Sequence, residues 1–297
     1  MFKSIRSAEL LMRPRVLIMA GLKLPMLLLL IGAILSSHAF SEVRNAGRSV
    51  TGQSPHFLTP LQIEIEKQRV RLNSNEVEER RDALMRLGGL HRAEASRAAL
   101  PALTDLFPVI RASAAFAISW LPADESAVAL LPLLNDKDEF VRQQVCYALG
   151  GMKNRAAVSG IVERLKIDKI DSVRAAAAVA LGQIRDQAAV VTLAEVLSSS
   201  GASRKGKTKT NEFILRAAAH SLGEIGSRAG VPVLIAALAN DSMAADIRRE
   251  AALSLGMIGD SSAIPALRAA VGGSDPYLSQ IASEALRKMD SNRERPS

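Results

Sequence analysis

Between residues 79 and 289 apolar positions recur with helical spacing, and that helical pattern itself recurs along the chain. Seven segments can be stacked: ERRDALMRLGGL (79–90), IRASAAFAISWL (110–121), VRQQVCYALGGM (141–152), VRAAAAVALGQI (173–184), LRAAAHSLGEI (215–225), IRREAALSLGMI (247–258) and LSQIASEALRKM (278–289). With Leu87, Ile118, Leu149, Leu181, Leu222, Leu255 and Leu286 as anchors, the intervals are 31, 31, 32, 41, 33 and 31 residues. A near-constant period of this size marks a solenoid of stacked units, none of which can bury its apolar face alone. Within one segment, Val173, Ala177, Ala180, Leu181 and Ile184 fall at i, i+4, i+7, i+8 and i+11, a single stripe on a helix.

Each period holds a second helical pattern after a short polar turn, as in RDQAAVVTLAEVL, with Pro132, Pro232 and Pro265 placed for the first helical turn, where proline is tolerated. Gly150, Gly182, Gly223 and Gly256 follow the anchors, where a missing side chain lets backbones approach closely or lets the helix end. The pattern predicts an all-α solenoid of about seven helix–turn–helix repeats over residues 59–290. Residues 59–73 form its N-terminal cap, with Thr59 as the helix cap and Pro60 in the first turn.

The segments DSVRAAAAVALGQI (171–184) and DIRREAALSLGMI (246–258) resemble the HEAT-like repeats of the phycobilisome-lyase type: an acidic residue followed by V-R-x-x-A-A-x-A-L-G-x-[IL]. The likeness spans about residues 75–290. Ser279 replaces the arginine in the last unit, Arg216 stands one residue late in the fifth, and Ile118-Ser119 replaces Leu-Gly in the second. Irregularity is expected in terminal and insertion-bearing units, which are not flanked alike on both sides. The resemblance implies an α-solenoid. For function it implies an interaction scaffold or, by analogy with the bilin lyases, a chaperone-like or enzymatic subunit, which sits poorly with the leader that precedes the repeats.

That leader is PMLLLLIGAIL (25–35), an apolar run behind a positively charged flank, with Ser37 and Ala39 spaced for cleavage after Ala39. Residues 1–39 read as a signal peptide or, taken from residue 16, as an N-terminal membrane anchor. Either one places the repeats outside the cytoplasm. Residues 40–58 lack periodicity and read as a linker, and residues 291–297 as a disordered tail.

Charge changes the picture only through its location. The net charge is +8, but residues 1–39 supply +4, and Arg204, Lys205, Lys207 and Lys209 supply another +4, leaving zero for the rest of the chain. Nucleic acid is therefore not an expected partner. Those four cations lie in a ten-residue surplus within 198–212 that accounts for the interval of 41. Inside it, GASRKGKT (201–208) satisfies the phosphate-loop pattern, but that pattern needs a strand before it, and a repeat helix stands there instead. The insertion reads as a basic loop, either solvated or contacting an acidic protein or anionic lipid.

The remaining chemistry is sparse. Cys146 is the sole cysteine and lies among apolar residues, so it reads as a small core side chain. His38, His56, His91 and His220 are scattered without metal-ligand spacing, no serine or cysteine has an evident histidine partner, and neither a cofactor motif nor a small-molecule site is evident. Arg80, Arg111, Arg142, Arg174, Arg216 and Arg248 recur once per unit and are expected to form a structural ladder with Asp171, Glu139 or Asp246 of adjacent turns. Trp120 is either a local core plug or an exposed partner anchor. The expected function is that of an exported, non-enzymatic scaffold that binds a partner protein, with the stacked second helices lining the binding surface.

Overall fold

The computed structural model describes residues 58–199 and 211–293, all within the compact unit Leu58–Ser297. The described residues form fourteen α-helices and no strand. The first helix of the stack, α1 (Pro60–Arg71), is a cap, and thereafter helices alternate. The first helices of the units are α2 (Val77–Gly89), α4 (Pro108–Ala117), α6 (Glu139–Gly151), α8 (Asp171–Ile184), α10 (Glu212–Ile225), α12 (Ala245–Ile258) and α14 (Pro276–Arg293). The second helices are α3 (Ala93–Ala99), α5 (Ala123–Leu130), α7 (Val158–Ile167), α9 (Val190–Ser198), α11 (Val231–Ala239) and α13 (Ile264–Val271).

The cap forms as its sequence dictates. The Thr59 hydroxyl accepts from the Gln62 amide at 3.3 Å, and the Thr59 amide donates to Gln62 Oε1 at 2.8 Å, a reciprocal capping box ahead of Pro60. At the other end α14 continues to Arg293, past the boundary expected at residue 290. Pro232 and Pro265 occupy the first turns of α11 and α13. Pro132 does not open its second helix: it lies in a 3-10 turn, Leu131–Asn135, that follows α5. Pro101 sits likewise after α3, because a proline cannot donate the i→i−4 bond that would continue the helix.

Each first helix packs against the next, from α2 through to α14, and Leu87, Ile118, Leu149, Leu181, Leu222 and Leu255 are fully buried between them. The glycines after the anchors lie inside helices and mark close crossings. A Cβ on Gly150 would fall 2.7 Å from the Ala180 Cα, and one on Gly182 would fall 2.8 Å from the Ser221 Cα. At these crossings serine hydroxyls bond across to the neighbouring first helix, Ser221 to the Ala178 carbonyl at 2.8 Å and Ser254 to that of Ala219 at 2.9 Å. Cys146 is fully buried in this layer, and burial pushes its thiol up to about 12, so it is no nucleophile at neutral pH.

Candidate interaction surface

Arg80, Arg111 and Arg142 build three identical rungs. Arg111 Nε and Nη2 bind Asp136 at 2.8 and 2.7 Å, while Nη1 donates to the Asp105 and Leu106 carbonyls at 2.9 and 3.2 Å. Arg80 grips Asp105 and the Ser74 and Asn75 carbonyls in the same way. Arg142 grips Asp168 and the Asp136 and Lys137 carbonyls. Each aspartate also accepts the amide two residues on, from Phe107, Asp138 and Ile170. One guanidinium thus ties the turn before its own helix to the turn that opens the next unit. Burial pushes the Asp136 and Asp168 carboxyls up, but the arginine fork and the backbone amide outweigh it, so both lie below the ordinary value. The bond to Asp136 lifts Arg111 above its own.

The acceptors of these three forks are therefore Asp105, Asp136 and Asp168; of the carboxylates the sequence suggested, Asp171 pairs with Arg174 and Asp246 with Arg249, each within its own helix. The three acceptors stand 25 or 26 residues downstream of their arginines, in the following turn. The ladder also stops after the third unit. Arg174 Nε instead caps the end of α7 through the Leu165 carbonyl at 3.0 Å, with Nη1 3.6 Å from Asp171. Arg248 does the same at the Leu238 carbonyl, 3.0 Å, and pairs with Asp241. Arg216 lies over the Phe213 ring at 5.9 Å. Its neighbour in register, Arg249, makes a late fork with Asp275 at 3.0 and 3.1 Å. At 25 and 26 residues beyond Arg174 the sequence reads Ser199 and Ser200, so no carboxylate is placed to receive a fork.

The second feature is a surface. Among the described residues the aromatics are Phe107, Phe116, Trp120, Phe140, Tyr147, Phe213 and Tyr277, and every one is exposed, Phe116 at 65% and Phe213 at 67%. All seven lie on the first helices or in the turns flanking them, whereas the core is built of Leu, Ile, Val and Ala. Trp120 is half exposed and stacks on His91 with ring centroids 4.5 Å apart, so it plugs no core. Two residues before the anchors runs a row: Met85, Phe116, Tyr147, Val179, His220 and Leu253. Tyr147 on α6 and Phe213 on α10 wall a trough of about 280 Å³ floored by Ser172 and Ala175 of α8. Periodicity reading missed this surface because it scores apolar residues by burial, and these repeat on the outer side of the same helices.

Arg204, Lys205, Lys207 and Lys209, the GASRKGKT tract and the leader lie outside the described residues. The residues before the tract form α9 and those after Asn211 form α10, so a helix stands where a phosphate loop needs a strand. No described helix is long and apolar enough to cross a membrane. No described group of three His, Cys, Asp or Glu could hold a metal ion.

A model of HEAT repeats matches residues 127–208 and 207–287, more than half of the chain. The chain belongs to the HEAT-repeat proteins. The repeats N-terminal to residue 127 carry the same helix pairs, so the HEAT solenoid extends back to α2. Among solved structures, similar chains include the complex of CpcE and CpcF of phycocyanin lyase from Nostoc sp. PCC7120, 20% identical, covering 84% of this chain and 93% of that one with a TM-score of 0.47. Human deoxyhypusine hydroxylase is 18% identical, with 77% and 96% covered and a TM-score of 0.35. An engineered protein is 22% identical, with 77% and 97% covered and a TM-score of 0.38. No curated protein matches the HEAT chain at a significant level.

Proposed function

We propose that this HEAT-repeat chain is an exported, non-enzymatic scaffold that binds a partner protein on the outer face of its first helices. The observation that carries the reading is the placement of the aromatics. Aromatic side chains bury more area than any others and dominate interface energetics, yet here the described ones all stand at the surface of a rigid layer. Export rests on the charged flank and apolar run of residues 1–39. The second helices, expected at first to line the binding surface, carry scattered exposed apolar residues such as Val128 and Val191 but no aromatic. Rigid display from a solenoid needs little rearrangement on binding.

The test is site-specific photo-cross-linking in cells, with a benzoylphenylalanine placed at position 116, 147 or 213 and, for comparison, at 128 or 191. Discrete adducts from the first three positions and not from the last two are expected. Adducts from 128 and 191 alone would overturn the reading. Fractionation with N-terminal sequencing checks export: a mature chain retained in the cytoplasm with Met1 intact removes that part.

A further inference from the structure

The outer face of the first helices varies along the stack, and the variation describes the segment that it binds, on the premise that the scaffold reading holds. Each first helix, with the turn after it, presents one outward stripe: the positions nine, six and two residues before its anchor and two after it. On α2 that stripe carries Glu78 and Arg81, on α10 Arg216 and Glu224, on α12 Asp246 and Arg249, and on α14 Glu284 and Lys288. On α4, α6 and α8, three consecutive helices, it carries no charge. Their arginines, Arg111, Arg142 and Arg174, are held back on backbone carbonyls. Exposed charges return at the turns on either edge. Lys137 and Lys169 offset Glu139 and Asp171 at one end of these helices, and Lys153, Arg155 and Arg185 outnumber Asp124 and Asp186 at the other. The window between those edges has no charge to complement, so the central residues of its occupant are uncharged.

Period selects the backbone of that occupant. Packed neighbouring helices stand about 8–10 Å apart, so side chains in one register across the stack recur at that interval. Phe116 and Tyr147, each two residues before its anchor and both exposed, are the aromatic ridges of such a row. A segment that crosses the helices stays in step with these ridges only if its own side chains repeat at the same distance. A polyproline II segment turns once in three residues, about 9.3 Å, whereas a helix repeats at about 5.4 Å and one face of a strand at about 6.6 Å. Such a segment leaves its carbonyls unbonded, and the window holds donors for them. The Trp120 indole, the Gln143 amide and the Tyr147 hydroxyl make no hydrogen bond to a described residue. Gly151, in the register of Trp120 on the next helix, has nothing within 4 Å of its Cβ site, which leaves room for a proline ring beside the indole. We infer that the window across α4, α6 and α8 docks an uncharged, proline-rich segment of the partner protein in polyproline II conformation, its turns seated between Phe116 and Tyr147 and its carbonyls on Trp120 and Gln143.

Trp120 is the one tryptophan of the chain, so its fluorescence reports on the window alone. The full chain is titrated with a neutral peptide of four Ala-Pro-Pro repeats and, for comparison, with neutral peptides of the same length built as an alanine–glutamine helix and a threonine–valine strand. The proline peptide should bind saturably and one to one with a shift of the Trp120 emission, and the other two at least tenfold more weakly. Phe116→Ala and Tyr147→Ala should each weaken binding at least fivefold. Leu253→Ala, in the same row but on a charged stripe, should leave it unchanged. Circular dichroism melts confirm that the variants are folded. No binding of the proline peptide at millimolar concentration, equal binding of the helix or strand peptide, or unchanged binding by Phe116→Ala and Tyr147→Ala would sink the inference. Failure here is separable from failure of the scaffold reading: cross-links from positions 116 and 147 that excess proline peptide does not displace leave the scaffold standing without the proline segment. Absence of cross-links from every first-helix position removes the scaffold itself.

Discussion

The N-terminal and C-terminal halves of the solenoid join their units by different means. From α2 to α7, arginine forks carry the connection from turn to turn, and the first two first-helix crossings are looser: a Cβ on Gly88 would lie 3.2 Å from the Ala117 Cα, and the second unit has Ser119 where the first and the third to sixth have glycine. From α8 onward Arg174 and Arg248 turn back to cap the second helix of the preceding unit, and a single fork, Arg249–Asp275, recurs near the end of the stack. The crossings there are closed by Gly182, Gly223 and Gly256, with Ser221 and Ser254 bonding across. The α6–α8 and α12–α14 junctions have both devices, Arg142–Asp168 with Gly150 against Ala180, and Arg249–Asp275 with Gly256 against Ala285. One repeat fold thus tolerates either directional charge pairing or close backbone contact, provided that each interface has one.

The comparison can be broken most severely at a crossing. Gly182→Leu places its Cβ against the Ser221 backbone, which cannot yield as a side-chain tip could, and is expected to cost roughly 3 kcal/mol or to prevent folding. Gly151, with nothing within 4 Å of its Cβ site, should accept alanine without loss. Urea denaturation of the pair checks both. Next, Arg111→Ala leaves the nearly buried Asp136 carboxylate without its fork and should cost about 3 kcal/mol. Arg174→Ala removes one capping bond and should cost about 1 kcal/mol. Similar losses for the two arginines would erase the distinction between the halves.

Acid should weaken the arginine–aspartate forks. Asp136 and Asp168 have folded values depressed below the ordinary carboxyl value of about 3.9, so their contribution is complete above that pH and fades as pH falls through the depressed values. Urea midpoints measured downward from pH 5 should fall less steeply in Asp168→Asn than in the parent chain. The smallest expected effect lies at the junction. The Gln183 side-chain oxygen is buried without a partner, and Gln183→Met should raise stability by about 1 kcal/mol.

Much of the fold was legible because its signals are local. The capping box reads from Thr59, Pro60 and Gln62 alone, and the buried anchors follow from the 3.6-residue stripe repeated every thirty-odd residues. The ladder was legible only as a recurring arginine. Its acceptor sits a whole unit downstream, and nothing local distinguishes Asp105 from the equally periodic Asp171. Trp120 shows the same limit from another side: its place at a turn favoured a core plug over an exposed anchor, and the structure leaves it half exposed against His91.

The sequence by itself determined that the chain is a stack of helical pairs, because period and amphipathic spacing depend only on distances along the chain. It determined too that charge gathers in the leader and the loop, a matter of counting. Only the tertiary structure decided which carboxylate each arginine meets, whether a glycine ends a helix or admits a neighbour, and that the described aromatics are all exposed. Those outcomes depend on how successive units are rotated and stacked against one another, a quantity that no single repeat contains.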